Sequence, residues 1–215
     1  MKIYLVINKN IGIELIKKGF FYLFFLILIF VLNCSSAPDF HYYFLSYDLS
    51  PDYDTNPRYP YVLGIEKFEA DEVYNNENII FRDSAYEIKY YVYRKWGSNP
   101  RDIVSEKALE HLRASGLFKS VRFYPDFYDI DYLLRGHIKS FEEWDKMDGW
   151  YAKFSIESEF INVHNDSTLF VLRTEKMIKA ESEDILSVVV SMSKCVQETF
   201  DEIIKKIDEN LSNSF

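Results

Sequence analysis

Cys34 is the residue whose type and setting most clearly call for chemistry. It stands just past an unbroken apolar run of 13 residues, Phe20 to Leu32, with Asn33 between. A thiolate is a nucleophile. One delivered to a membrane surface by an apolar run can take up a diacylglycerol as a thioether. The other candidates are thinner. Cys195 falls in a helical pattern and reads as a small hydrophobe beside a core. His41, His111, His137 and His164 are scattered, with no His-Glu-x-x-His or Cys-x-x-Cys spacing to hold a metal. Nucleotide-binding glycine motifs and a Gly-x-Ser-x-Gly nucleophile turn are absent from the sequence. Glu142, Glu143, Asp145 and Asp148 crowd one stretch. A calcium loop needs carboxylates at alternate positions and a Gly sixth in the loop. The cluster lacks that pattern and reads as a solvated turn between strands. No catalysis and no cofactor are expected beyond the lipid on Cys34.

The residues around Cys34 resemble the lipobox of bacterial lipoproteins. Val31 and Leu32 stand three and two before the Cys, and Asn33 takes the place usually held by Gly, Ala or Ser. A bilayer-spanning helix needs about 20 apolar residues. A run of 13 behind Lys17 and Lys18 fits the apolar region of a signal peptide instead. Residues 1–33 are therefore expected to be a signal peptide and 34–60 a lipidated Cys with its tether and loop. A globular domain is expected over 61–212. With Cys34 acylated, Cys195 has no intrachain disulfide partner. Ser35 in place of Asp is compatible with export to the outer membrane, facing the periplasm.

Charge narrows the partners. The formal net charge is −9 over 215 residues. Removing the first 33 residues leaves 21 basic and 33 acidic side chains, a net charge near −12. Such a surface repels phosphate backbones, so nucleic acid is excluded as a partner. It also has little electrostatic reason to lie flat on anionic lipid. Phe, Tyr and Trp make up 18% of the chain against seven Gly, enough aromatic bulk to build a core.

The elements that must position these residues follow from periodicity. Tyr61 to Phe68, Ile79 to Arg82 and Glu87 to Trp96 read as strands. In the last, Ile88, Tyr90, Val92 and Trp96 share the expected core face. Tyr91 and Tyr93 take the other and become candidate partner-binding residues. Asn99 and Pro100 open a helix with an apolar stripe through Ile103, Val104, Ala108, Leu109 and Leu112. Gly116 sits where a left-handed cap is expected. Strands follow at 117–124 and 132–141, then a hairpin of 151–163 with 169–180. A long amphipathic helix over about 182–211 carries Val189, Met192, Val196, Phe200, Ile203, Ile207 and Leu211. The expected fold is α+β: a largely antiparallel sheet of about seven strands with two helices on one face.

In order and spacing, several pieces resemble the ABC-type transport auxiliary lipoproteins. They are Tyr42 to Leu45, Tyr91 to Trp96 with Pro100 behind, Leu112 to Val121, Asp131 to Phe141, and the long last helix. The resemblance covers most of the chain after Cys34. It implies a fold similar to the N-terminal domain of TolB. It also implies a non-catalytic part beside an MCE-containing lipid transporter, with an MCE-type substrate-binding protein or a permease as partner. The competing expectation is an outer-membrane assembly lipoprotein resembling the plug of the lipopolysaccharide translocon.

Overall fold

A computed structural model describes residues 19, 21–22, 38–49, 56–125 and 129–213. Cys34 and most of the apolar run lie outside them, as does part of the Pro-rich loop. From Phe40 onward the chain forms one compact unit. Its strands are β1 (His41–Tyr43), β2 (Tyr59–Glu66), β3 (Glu69–Ala70), β4 (Asn78–Arg82), β5 (Lys89–Trp96), β6 (Phe118–Tyr124), β7 (Tyr132–Lys146), β8 (Gly149–Asn162) and β9 (Ser167–Lys179). The helices are α1 (Pro100–Ala114) and α2 (Ile185–Ser212). Among the described residues no helix is long and apolar enough to cross a membrane.

The fold is α+β, as the element order requires, and the sheet mixes both pairings. Its longest ladders, β7 with β8 and β8 with β9, are antiparallel. β2, β3 and β4 lie one after another along the other side of β7, each parallel to it. β6 flanks β2, and β5 with β1 flanks β4. Among the described residues the sheet thus has nine strands, where about seven were expected. Of the two additional short strands, β3 has only two residues, too few to show a strand period, and β1 falls in the segment expected to be a tether.

Both helices cover one face. α1 begins where Asn99 Oδ1 accepts the Arg101 N–H at 3.1 Å, with Pro100 in its first turn. It ends at Gly116, whose φ of +65° only glycine adopts freely. Asp184 caps α2 by accepting the Ser187 N–H at 3.1 Å. The inward rows Leu63 and Ile65 of β2, Leu134 and Ile138 of β7, and Ala152, Phe154, Ile156 and Phe160 of β8 meet the stripes of both helices. Cys195 is buried in α2, and burial pushes its thiol up to about 12. It is a packing residue at any physiological pH.

β7 runs on to Lys146, past the end expected at Phe141. A register shift between Ile138 and Ser140 gives the strand an extra residue. Beyond it the alternation reverses, so that Phe141 and Glu143 point to the core and Glu142 and Trp144 away from it. Of the acidic cluster, Glu142, Glu143 and Asp145 therefore lie in the strand, and Asp148 alone sits in the solvated turn. Glu142 and Glu143 are 3% and 1% exposed.

Candidate interaction surface

Three groups of side chains have the burial or exposure to do something beyond packing. The first surrounds Glu142. Its Oε2 accepts from Tyr74 Oη and Arg82 Nε, both at 2.6 Å, and its Oε1 from Trp144 Nε1 at 2.8 Å. Arg82 is itself mostly covered. Every oxygen is engaged and the charge is balanced, so this carboxylate braces the turn after β3 against the sheet.

The second is an acid pair on the core side. Glu143 Oε1 accepts from Tyr91 Oη at 2.8 Å. Its Oε2 and Asp145 Oδ1 are buried and meet no N–H or hydroxyl. The neighbouring carboxyls crowd each other, which together with burial favours a proton on Glu143. Burial first, and Asp145 second, pushes Glu143 up to about 8. Asp145 is also raised, chiefly by burial. The Arg94 guanidinium, 5.1 Å above the Tyr91 ring, is the nearby cation. The pair has a stability consequence. Glu143 keeps its proton in the folded chain where the unfolded chain has lost it, so stability is full below about pH 4.5. It falls as pH rises to about 8, at up to ~1.4 kcal/mol per pH unit. Glu143→Gln keeps the shape and the donor without the ionisation. Melting temperatures across that range should show the parent losing stability relative to the variant as pH rises, and parallel curves would refute a protonated Glu143.

The third group is exposed. Phe40, Tyr42 and Phe44 alternate along β1 onto the face away from the core and are 46%, 57% and 60% exposed. Tyr43 and Leu45 point inward. Tyr93 meets Phe40 edge-on at 5.6 Å, and Lys95 Nζ lies 5.8 Å from the Phe40 ring centre. Tyr90 and Val92 add exposed apolar surface on β5. The core face expected for this strand holds at Trp96, which is 2% exposed, and at Ile88, which packs against the core, but fails at Tyr90 and Val92. Between Lys95 and Tyr90 the strand has extra residues relative to β4, a wide bulge that breaks the period of two. Tyr91 consequently turns inward against Phe81 at 4.7 Å and Glu143, while Tyr90 turns out. Of the two candidate tyrosines, Tyr93 is presented to solvent and Tyr91 stands half-buried behind it. The sequence reading missed Phe40, Tyr42 and Phe44 as a surface. The alternation Phe-His-Tyr-Tyr-Phe-Leu was the available signal, hidden because 34–60 read as a tether.

A groove of about 330 Å³ crosses the outer sheet face over Gly136. Its charges are taken up locally, Arg135 by Glu66 at 2.6 Å and Arg173 by Glu157, and His137 Nε2 hydrogen-bonds Asp71 at 2.7 Å. Among the described residues no group of three or more His, Cys, Asp or Glu could hold a metal ion.

No family model matches the sequence, and neither does any curated protein. Solved structures do share its fold. A Xanthomonas campestris protein described under the family model DUF330 superposes with a TM-score of 0.70 at 14% identity, covering 80% of this chain and 97% of that one. A structure described as an uncharacterized protein gives 0.64 at 13% identity, covering 79% of this chain and 99% of that one. At such identities the likeness establishes the fold, and function rests on the residues.

Proposed function

We propose that the protein is a cell-envelope lipoprotein, held at the outer membrane by a diacylglycerol on Cys34 and facing the periplasm. There it acts as a non-catalytic auxiliary component of an ABC-type, MCE-containing lipid transport system. The apolar run ending at Val31-Leu32-Asn33-Cys34 is the observation that carries the anchor. The pieces behind the family resemblance fall on joints the fold depends on. Leu112 to Val121 spans the end of α1, the left-handed Gly116 and the start of β6, and Asp131 to Phe141 is the central strand. The ion pairs of the outer groove and of Glu142 leave carboxylates and cations neutralising one another rather than poised for reaction. Partner contact is assigned to β5, with Tyr93 outermost and Tyr91 behind it. A tyrosine ring is a common interface anchor. The partner is an MCE-type substrate-binding protein or permease.

One experiment tests both halves. A photo-crosslinking residue is placed at Tyr93 in cells carrying Cys34 or Cys34→Ala. The parent is expected in the membrane fraction, crosslinked to a transporter subunit, and the Ala variant is expected unprocessed or released. Equal membrane association of both chains overturns the anchor. Capture of a lipopolysaccharide-assembly barrel instead of a transporter subunit overturns the transport role.

A further inference from the structure

The row Phe40, Tyr42 and Phe44 is an apolar strip that no part of the described fold covers. β1 is the outermost strand on its side of the sheet, and the strip faces away from the core. It is nonetheless held in place. A Cβ on Gly97 would come within 1.9 Å of the Phe44 ring, so the absent side chain is what seats that ring. Phe40 is fixed from the side by Tyr93 and Lys95. Phe40 and Phe44 are thus seated, and with Tyr42 they turn three aromatic rings to the outside.

We propose that this strip lies in the headgroup boundary of the bilayer that holds Cys34, and thereby sets the orientation of the domain on the membrane. The inference rests on the reading of Cys34 as the lipid anchor. Five residues lie between Cys34 and Phe40, so at 3.3–3.6 Å per residue the near end of the strip can be no more than about 22 Å along the chain from the acylated thiol. A surface tied that closely to a bilayer meets lipid before it meets anything else. The chemistry suits that boundary. Phe rings supply apolar area, the Tyr42 hydroxyl and the Lys95 ammonium supply polar tips, and aromatic side chains collect at membrane–water interfaces for this reason.

The whole-domain charge near −12 does not draw the protein to anionic lipid. Close contact therefore needs an apolar strip, and the flanking charges, Lys95 and Asp39, roughly cancel. A protein strand adding to the same edge is the weaker occupant, because β1 offers only three residues of main chain. An acyl chain alone fixes one point and leaves the domain free to swivel. A second contact removes that freedom and gives the β5 edge, with Tyr93, a constant aspect along the membrane.

The test uses the full lipidated protein purified from envelopes, with the mass of its N-terminal peptide reporting acylation of Cys34. Tyr42→Cys carries an environment-sensitive fluorophore, and Val171→Cys on the far strand β9 is the control. Cys195 is buried and stays unlabelled. In phosphatidylethanolamine–phosphatidylglycerol vesicles, iodide should quench the label at 42 several-fold more slowly than the label at 171. Doxyl-labelled lipid should quench the label at 42 and spare the other. Adding Phe40→Ser and Phe44→Ser should abolish the difference while near-ultraviolet circular dichroism stays native. Equal iodide quenching at 42 and 171 on acylated protein overturns the inference and leaves the anchor standing. Protection in native envelopes that is absent from pure lipid vesicles also overturns it, and assigns the strip to a protein. An unacylated Cys34 overturns the anchor reading and this inference with it.

Discussion

Phe200→Ala is expected to remove about 3–5 kcal/mol of stability, the cost of emptying a fully buried Phe site. The ring sits at the junction of the elements. It stacks on Phe68, from the β2–β3 connection, with centroids 6.3 Å apart, and meets His111 of α1 edge-on at 6.1 Å. Its loss therefore opens a cavity between both helices and the sheet, where no single element can move in to fill it. For a domain of this size the melting temperature should fall on the order of 10 °C. Phe200→Leu, which refills part of the space, should lose less. Thermal unfolding followed by circular dichroism checks both. A Phe200→Ala protein that melts with the parent would show that α2 is not seated as described.

Arg82→Ala should be nearly as damaging, although it removes a residue close to the surface. Glu142 is 3% exposed and keeps its Tyr74 and Trp144 donors in the variant. It loses the guanidinium that compensates its charge. Stranding a buried carboxylate in this way costs about 3–5 kcal/mol. The companion change separates this cause from lost packing. Arg82→Met with Glu142→Gln removes both charges at similar volume and should recover most of the loss. Urea unfolding of the parent, Arg82→Met, Glu142→Gln and the double variant gives the coupling directly. If Arg82→Ala unfolds at the parent's midpoint, the carboxylate reaches water after all, and the stretch behaves as the turn its composition suggests.

These two sites divide what could be read in the chain from what could not. The stripe through Val189, Phe200 and Leu211 repeats over many turns, and a long repeat of that period has one physical solution, a helix with one buried side. Asn99-Pro100 and Gly116 marked the ends of α1 because each solves a local backbone problem. The hairpin of β8 and β9 was legible for the same reason, around Asp166 at φ +52°. β5 was recognised as a strand but turned the wrong way at Tyr90 and Tyr91, because a bulge leaves no mark in a short run of aromatics.

The sequence by itself determined the local matters: the two helices with their caps, most strands, the acidic balance, and the apolar run before Cys34 on which the proposed anchor rests. Each is fixed by neighbours along the chain, so each can be read from neighbours along the chain. The tertiary structure alone decided the fate of the groups whose partners are distant. Glu142 is buried because Tyr74 and Arg82 arrive from 68 and 60 residues away. Glu143 turns inward because one extra residue near Lys139 reverses the strand's faces. Phe40, Tyr42 and Phe44 form an outward strip because β1 pairs with β5 at the sheet's edge. A carboxylate or a ring looks the same in a sequence whether water or a distant side chain is its neighbour, and only the fold supplies that neighbour.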